Sequence, residues 1–358
     1  PILKDNFNLS FTQIGLITFS YQMAASILQP FVGFYTDKNP KPFSQLYGML
    51  FTIAGIVVLS YAANFYLILL AVVLVGIGSS IFHPESSRVS YLASGGKRGL
   101  AQSIFQIGGN AGTAIGPLLV AIFVVPKSQL YILWFLIFAI IAMFVLSKIA
   151  FWYRDHLSLR KSKKTEPEIL HNLSQTQVTF SIIILLLLIF SKFFYTASMS
   201  SYFTFYLMDK FHVSVQDAQF HLFLFLMSVA AGTLLGGPLG DKFGRKYVIW
   251  FSVLGVAPFT LMLPFANLFW TGVLSMVIGV ILSSAFPAIL VYAQELLPKK
   301  LGMVSGLFYG FAFGMGGLGS AILGCLADKT SITYVYQICA FLPLIGLIAY
   351  FLPNIKKK

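Results

Sequence analysis

Residues 237–246 read Gly237-Pro-Leu-Gly-Asp241-Lys-Phe-Gly-Arg245-Lys246, and they join apolar runs at 216–239 and 246–266. The small residues allow two helices to approach closely, and the acidic residue can cap or pair with a helix end. The basic residues favour the cytoplasmic side of a membrane. The stretch therefore indicates a tight turn between two membrane-spanning helices.

A degenerate copy of this turn begins at Gly33, with Asn39-Pro40 in the place of Phe243-Gly244. Other landmarks recur at the same separation. The matched pairs, at offsets of 203 or 204 residues, are Asp37 with Asp241, Pro84 with Pro287, and Gly99 with Gly302. A repeat whose matching loops share one side of the membrane indicates two parallel halves, related by an axis along the membrane normal.

The composition requires lipid as the solvent. Hydrophobic residues make up 58% of the 358 residues and charged residues only 10%, with a mean hydropathy of +0.84. A soluble protein carries about 25% charged residues. The apolar runs are roughly 20 residues long, which is enough for a helix to cross a bilayer, and the short alternating segments of a β-barrel are absent. The sequence predicts an all-α, multi-pass membrane protein.

Eleven spans are predicted, and the longest hydrophilic stretch divides them. We expect an N-terminal bundle at 1–150, a cytoplasmic linker at 151–176 and a C-terminal bundle at 177–358. The predicted spans are 10–34, 43–63, 66–91, 100–124, 130–150, 177–207, 216–239, 246–266, 268–295, 302–326 and 334–352.

The basic residues predict the orientation. With the 36–42 loop inside, eighteen Lys and Arg residues lie inside and four outside. This bias places the C-terminus in the cytoplasm. It also accounts for the net charge of +13 without a nucleic-acid partner.

The repeat predicts one further helix. The span at 177–207 should have a counterpart that ends near residue 3, so we expect residues 1–4 to be the tail of a first helix. The intact protein would then have twelve spans, six in each half. The alternative is a protein with eleven spans.

Longer strings resemble the fosmidomycin-resistance branch of the major facilitator superfamily, over essentially the whole chain. The turn at 237–246 resembles the superfamily's loop signature. The branch-specific strings are Phe82-His-Pro-Glu-Ser-Ser-Arg88, Ala93-Ser-Gly-Gly96, Gly99-Leu-Ala-Gln-Ser-Ile-Phe-Gln106, Ser191-Lys-Phe-Phe-Tyr195 and Ala293-Gln-Glu-Leu-Leu-Pro298.

This resemblance implies two six-helix bundles around a central cavity that opens alternately to each side. It also implies proton-driven antiport of fosmidomycin, an anionic phosphonate antibiotic, across a bacterial inner membrane. The energy source would be the proton gradient, with no cofactor. One departure concerns the drug-antiporter motif of the fifth helix. Gly112, Gly116 and Pro117 match it, whereas Ser103 stands in place of its first glycine.

Three ionisable residues lie together in the span at 66–91. Glu85 and Arg88 are three residues apart and share a helix face, and His83 precedes Pro84. An ionisable group within a membrane span is energetically costly, so it is treated as a candidate for a functional role. Glu85, with His83, is a candidate for proton coupling, and Arg88 for binding an anion. The alternative is a local Glu–Arg pair that neutralises itself near the cytoplasmic end.

Lys192 lies mid-span with Tyr195, Tyr202 and Tyr206 along one helical stripe. A lysine beside aromatic hydroxyls suits a phosphonate or a carboxylate, so Lys192, Tyr195 and Tyr202 are candidate substrate contacts. The alternative is a lysine that extends to the interface.

Other candidates carry weaker signals. Gln102, Gln106 and His221 are candidate substrate contacts, although helix packing or an interface position would also account for them. We expect Asp37 and Asp241 to act as conformational latches. The predicted conformational set is Gly33, Asp37, Gly237, Asp241, Arg245, Gly112, Gly116 and Pro117.

Several other classes of protein fit poorly. Cys325 and Cys339 form no disulfide framework or metal pattern, and His83 and Glu85 point to different helix faces. A phosphate-binding loop is missing, so neither an enzyme nor an ATP-driven pump is expected. The open alternatives are an importer of small organic anions and a substrate-sensing receptor without flux. We expect a monomer, since each half supplies a partner for the other.

Overall fold

The computed structural model describes residues 7, 11–124, 127–162 and 173–355, and their regular structure is helical throughout. The α-helices are α1 (Phe11–Lys38), α2 (Ser44–Ser60), α3 (Phe65–Ala93), α4 (Arg98–Phe123), α5 (Phe135–Ser162), α6 (Gln175–Phe211), α7 (Val215–Phe243), α8 (Arg245–Leu254), α9 (Ala257–Met262), α10 (Leu268–Ser283), α11 (Ala285–Leu296), α12 (Leu301–Lys329) and α13 (Ile332–Cys339). Short 3₁₀ helices occupy Gln129–Trp134, Leu263–Phe265 and Leu342–Phe351.

Each of the eleven predicted spans coincides with one of these helices or a run of them. Eight helical segments within the described residues are long and apolar enough to cross a membrane, and Ser44–Ser60 is a shorter apolar helix. The all-α, multi-pass prediction is therefore confirmed. The expected helix tail at 1–4 and residues 163–172 of the predicted linker lie outside the described residues.

Polar caps define where several helices begin. Ser174 caps α6 in a reciprocal pair, because its hydroxyl accepts from the Gln177 amide and the Gln177 side chain accepts from the Ser174 amide. Such a pair satisfies two amides that have no partner within the helix. α7 ends at Phe243 and is followed by Gly244, whose φ of 97° is a conformation that favours glycine.

The two prolines that match in the repeat behave differently. α3 continues through Pro84 as a single helix. Its counterpart Pro287 follows a break, since α10 ends at Ser283 and α11 begins at Ala285. A proline supplies no amide to the carbonyl four residues earlier, and for Pro287 that carbonyl belongs to Ser283.

The helices pack into two compact units. The first unit is formed by the described parts of Pro1–Val89, Ala111–Glu168 and Leu297–Gly310. In it α2 packs on α5, and the Phe43 and Phe151 rings meet edge to face at 5.5 Å.

The second unit is formed by Ser90–Asn110, the described part of Ile169–Leu296, and that of Phe311–Lys358. Its core is rich in aromatic side chains, and the Tyr206 and Tyr336 rings stack at 4.2 Å. Each unit takes in the start of one helix from the other half of the sequence. The division into bundles at 1–150 and 177–358 stays a prediction.

Candidate functional site

Asp37 lies in the last turn of α1 and binds the start of α12. Its Oδ1 accepts from the Gly302 amide at 2.9 Å, and its Oδ2 accepts from the Met303 amide at 2.7 Å. The first amides of a helix have no partner within it, and the helix dipole places partial positive charge there. The Asp37 carboxylate therefore caps a helix from the second half of the sequence.

Arg88 and Glu85 complete this first cluster. Arg88 Nη2 lies 2.5 Å from Asp37 Oδ1, and Arg88 Nη1 lies 2.8 Å from Glu85 Oε1. Glu85 and Arg88 are only 1% and 4% exposed. Two further donors hold the Glu85 carboxylate, namely the hydroxyls of Thr36 at 2.6 Å and Ser44 at 3.3 Å. Both charged groups of the predicted pair are thus fully engaged with protein partners.

A second cluster of the same kind surrounds Asp241 at the end of α7. Its carboxylate accepts from the Gly99 amide at 3.2 Å and the Leu100 amide at 3.0 Å, at the start of α4. Arg245 Nη2 lies 2.7 Å from Asp241 Oδ1 and 3.3 Å from Glu295 Oε1. Arg98 adds a further ion pair to Glu295.

The two clusters share a plan but not all of their residues. Asp37 and Asp241 match in the repeat, and so do the helix starts that they cap. The arginines do not match, because Arg88 comes from α3 whereas Arg245 lies four residues after its aspartate. The sequence identified both aspartates. It missed Thr36, Ser44, Arg98 and Glu295 as members of the clusters.

Glycines make these helix contacts possible. A methyl group on Gly302 would meet the Arg88 guanidinium and the Gly33 carbonyl, and one on Gly237 would meet the Gly99 carbonyl. By contrast, a methyl group on Gly112 or Gly116 would meet no described atom within 4 Å. Close packing at those two glycines is therefore not seen among the described residues. Pro117 lies in α4, and its side chain is outside them.

Among the buried cations that the structure describes, Lys192 has the fewest polar contacts. It lies in the middle of α6 and is 6% exposed. Its ammonium group lies 5.1 Å from the centres of the Phe193 and Phe286 rings. Within the described part of the chain, no carboxylate pairs with it. Aromatic faces attract a cation but do not neutralise it.

The tyrosines of the predicted stripe divide between core and cleft. Tyr195 and Tyr206 are buried among the apolar side chains of the second unit. Tyr202 donates to the Ser320 carbonyl at 2.5 Å and lines a cleft of about 860 Å³ with Asp209 and Asp328. Of the three tyrosines only Tyr202 lines this cleft, and substrate roles for Tyr195 and Tyr202 stay predictions.

The remaining candidates divide between the two units. His83 stacks on the Tyr309 ring at 5.2 Å within the first unit. In the second unit Gln102 is fully buried, and the Gln106 side-chain amide has a buried nitrogen without a described partner. His221 Nδ1 lies 2.8 Å from the Asp217 carbonyl in the first turns of α7. The second carboxylate cluster lies at the opposite end of α7, around Asp241.

The sequence has close relatives of known family. Residues 1–216 and 184–358 match the family model of the Major Facilitator Superfamily. The chain is 59% identical over 358 residues to the fosmidomycin resistance protein of Escherichia coli K12, covering all of this chain and 88% of that protein. It is 45% identical over 360 residues to an uncharacterized MFS-type transporter of Bacillus subtilis 168, with the same coverage.

Solved structures share the fold at low sequence identity. The fucose:proton symporter FucP in its outward conformation has a TM-score of 0.76 at 16% identity, covering 98% of this chain and 92% of that one. The human organic anion transporter MFSD10 has a TM-score of 0.74 at 16% identity, covering 95% and 83%. The chain is therefore a transporter rather than an enzyme, and it belongs to the major facilitator superfamily, in the family of the fosmidomycin resistance protein.

Proposed function

We propose that this protein exports small anionic antibiotics such as fosmidomycin in exchange for protons, by alternating access across a bacterial inner membrane with its C-terminus in the cytoplasm. The relative named fosmidomycin resistance protein supports fosmidomycin as the substrate and export as the direction of transport. The positive-inside bias supports the orientation. The protein would act as a monomer driven by the proton gradient.

The observation that carries the choice of an anion is Lys192. A buried ammonium group without a carboxylate partner is costly within a membrane, so it marks a site for a ligand of opposite charge. A phosphonate supplies that charge together with several acceptor oxygens. Arg88 is a weaker candidate because Asp37 and Glu85 already neutralise it.

The carboxylate clusters supply a route for proton coupling. The first cluster contains two carboxylates and one guanidinium, so it carries one net negative charge beside the start of α12. A proton on Glu85 neutralises that charge and ends the Glu85–Arg88 ion pair. In this proposal the proton binds at Glu85 and changes the charge beside the Asp37 latch. The anion binds at Lys192, so the proton and the anion need not compete for one site.

Drug tolerance tests the anion site. Cells that express the intact protein should tolerate more fosmidomycin than cells without it, and Lys192→Gln should abolish the gain. Lys148→Gln is the matched control, because Lys148 also lies over a phenylalanine ring but is exposed. Unchanged tolerance in Lys192→Gln, at equal membrane expression, would reject Lys192 as the anion site.

Import of a small organic anion is the second candidate. A proton on Glu85 leaves Arg88 with one carboxylate partner fewer, which favours anion binding in the protonated state. That coupling carries the proton and the anion in the same direction. Uptake of labelled anion that a protonophore abolishes, in cells that show no drug tolerance, would favour this candidate over export.

A further inference from the structure

An open groove lies between α1 and α2 in the first unit, beside α3. Its volume is about 560 Å³. Three large aromatic residues on its walls, Phe31, Tyr35 and Tyr47, are 55–67% exposed. Tyrosines are enriched where membrane-spanning helices meet the membrane–water interface, and Tyr35 and Tyr47 lie near the facing ends of α1 and α2.

The groove has a polar floor and a charged mouth. Thr36 and Ser44 line it, and their hydroxyls donate to the Glu85 carboxylate. Lys41 also lines it, from the turn that joins α1 to α2. The Lys41 side chain is exposed, and it has no hydrogen bond or ion pair within the described part of the chain. The groove thus carries one positive charge that nothing in its lining balances.

The internal repeat supplies a comparison groove. An equivalent groove of about 330 Å³ lies between α7, α8 and α10 in the second unit. At the offset of 204 residues, Leu239, Val248 and Phe251 occupy the places of Tyr35, Ser44 and Tyr47.

The basic residue differs as well. The counterpart of Lys41 is Arg245, which is buried in ion pairs with Asp241 and Glu295. The second groove is lined by apolar residues with two serines and one tyrosine, and no charged residue lines it among those described. A basic residue therefore lines only the first of the two grooves, and membrane packing common to both halves does not account for it.

We propose that the first groove binds one anionic phospholipid of the phosphatidylglycerol type. The Lys41 ammonium contacts the phosphate, the hydroxyls of Tyr35 and Tyr47 lie at the level of the glycerol esters, and an acyl chain runs along Phe31. None of the described residues that line the groove carries a carboxylate to attract a positively charged headgroup. The basic turn is also predicted to face the cytoplasm, where anionic lipids concentrate.

The bound lipid would lie over the hydroxyls of Thr36 and Ser44, and so over the Glu85 carboxylate that they hold. It would thereby exclude water from the first carboxylate cluster. The lipid site does not depend on which solute the protein transports.

Native mass spectrometry of the intact protein in detergent tests this site, with phosphatidylglycerol or phosphatidylcholine added. We expect one phosphatidylglycerol to be retained in preference to phosphatidylcholine. Lys41→Gln should weaken its retention about fivefold, as expected for one lysine near a membrane surface. Lys38→Gln is the matched control, because Lys38 is exposed at the end of α1 but lies over the Phe34 ring and does not line the groove. It should change retention by less than about twofold.

Three outcomes would overturn the proposal. Equal losses of phosphatidylglycerol retention in Lys41→Gln and Lys38→Gln would indicate general attraction of the lipid to a basic surface. Equal retention of both lipids would remove the role of charge. Displacement of the lipid by glycerol phosphate or fosmidomycin would make the groove a site for soluble anions. Tyr47→Phe removes only a hydroxyl and reproduces the phenylalanine found at Phe251. We expect it to lower phosphatidylglycerol retention less than Lys41→Gln does, and this loss supports the lipid site even if Lys41→Gln lowers the protein yield.

Discussion

Lys192 and Arg88 are both buried cations, yet their surroundings differ. Two carboxylates lie within 2.8 Å of Arg88, whereas the described surroundings of Lys192 offer aromatic rings. A buried ion pair is stable only when its partners and hydrogen bonds are complete. Arg88 meets that condition from within the protein, and Lys192 would meet it by binding an anion.

Glu85→Gln separates proton coupling from substrate transport, because a glutamine side chain cannot take up the proton. It should lower gradient-driven transport at least about tenfold, as expected when the proton carrier of a membrane transporter is removed. Exchange of labelled for unlabelled substrate, which needs no proton movement, should stay within about twofold of the parent. Both rates are measured in vesicles at equal protein content.

Glu295→Gln is the control for this change, because Glu295 is a buried carboxylate in the second cluster and has two arginine partners. It should retain the response to the proton gradient. Full gradient-driven transport by Glu85→Gln would remove Glu85 as the proton carrier.

The sequence predicted part of the first cluster. Helical spacing placed Glu85 and Arg88 on one face, and the turn motif identified Asp37. The contact between Arg88 and Asp37 joins residues 51 positions apart, so it depends on how α1 and α3 pack. The signal for Thr36 was its position next to Asp37, which alone does not distinguish a carboxylate donor from an ordinary helix residue.

At the scale of single elements, two helix starts are held by side chains from distant helices. Asp37→Asn should raise amide hydrogen exchange at Gly302 and Met303 about fivefold, since a charged cap contributes about 1 kcal/mol. Asp241→Asn should do the same at Gly99 and Leu100. Mass spectrometry of the exchanged protein resolves the two regions. Exchange that rises at neither helix start, or equally at both in each variant, would contradict the assigned caps.

The close approach of α1 and α12 predicts a steric effect. Gly302→Ala should destabilise the protein by about 1–3 kcal/mol, because a methyl group there meets the Arg88 guanidinium and the Gly33 carbonyl. Gly316→Ala on the same helix is the control, since its methyl group would meet no described atom within 4 Å. Thermal unfolding in detergent compares them, and equal melting temperatures would reject the tight contact.

Helix positions were predictable because lipid imposes a length and a composition on each span. Breaks of the helix within a span were less predictable from the sequence. Matching prolines occur at residues 84 and 287, but only Pro287 follows an interruption of its helix. A proline removes one hydrogen bond wherever it lies, and neighbouring helices determine whether the helix also breaks.

At the scale of the whole molecule, the two halves share the capping of a helix start by an aspartate, although most of the residues around it differ. Each half supplies an aspartate that caps a helix from the other half, and each aspartate is paired with an arginine that also binds a glutamate. The offset between halves revealed the aspartates. It could not reveal the arginines, because Arg88 and Arg245 occupy unrelated positions in the repeat.

Proton movement in proteoliposomes tests the exchange of protons for an anion most directly. The intact purified protein is reconstituted in vesicles that contain a pH-sensitive dye, and fosmidomycin is added outside at equal pH. Exchange predicts that entry of the anion drives protons out, so the interior becomes more alkaline, and that Lys192→Gln vesicles show no change. A fosmidomycin-dependent acidification of the interior would mean that anion and proton move together, and it would contradict the proposed exchange.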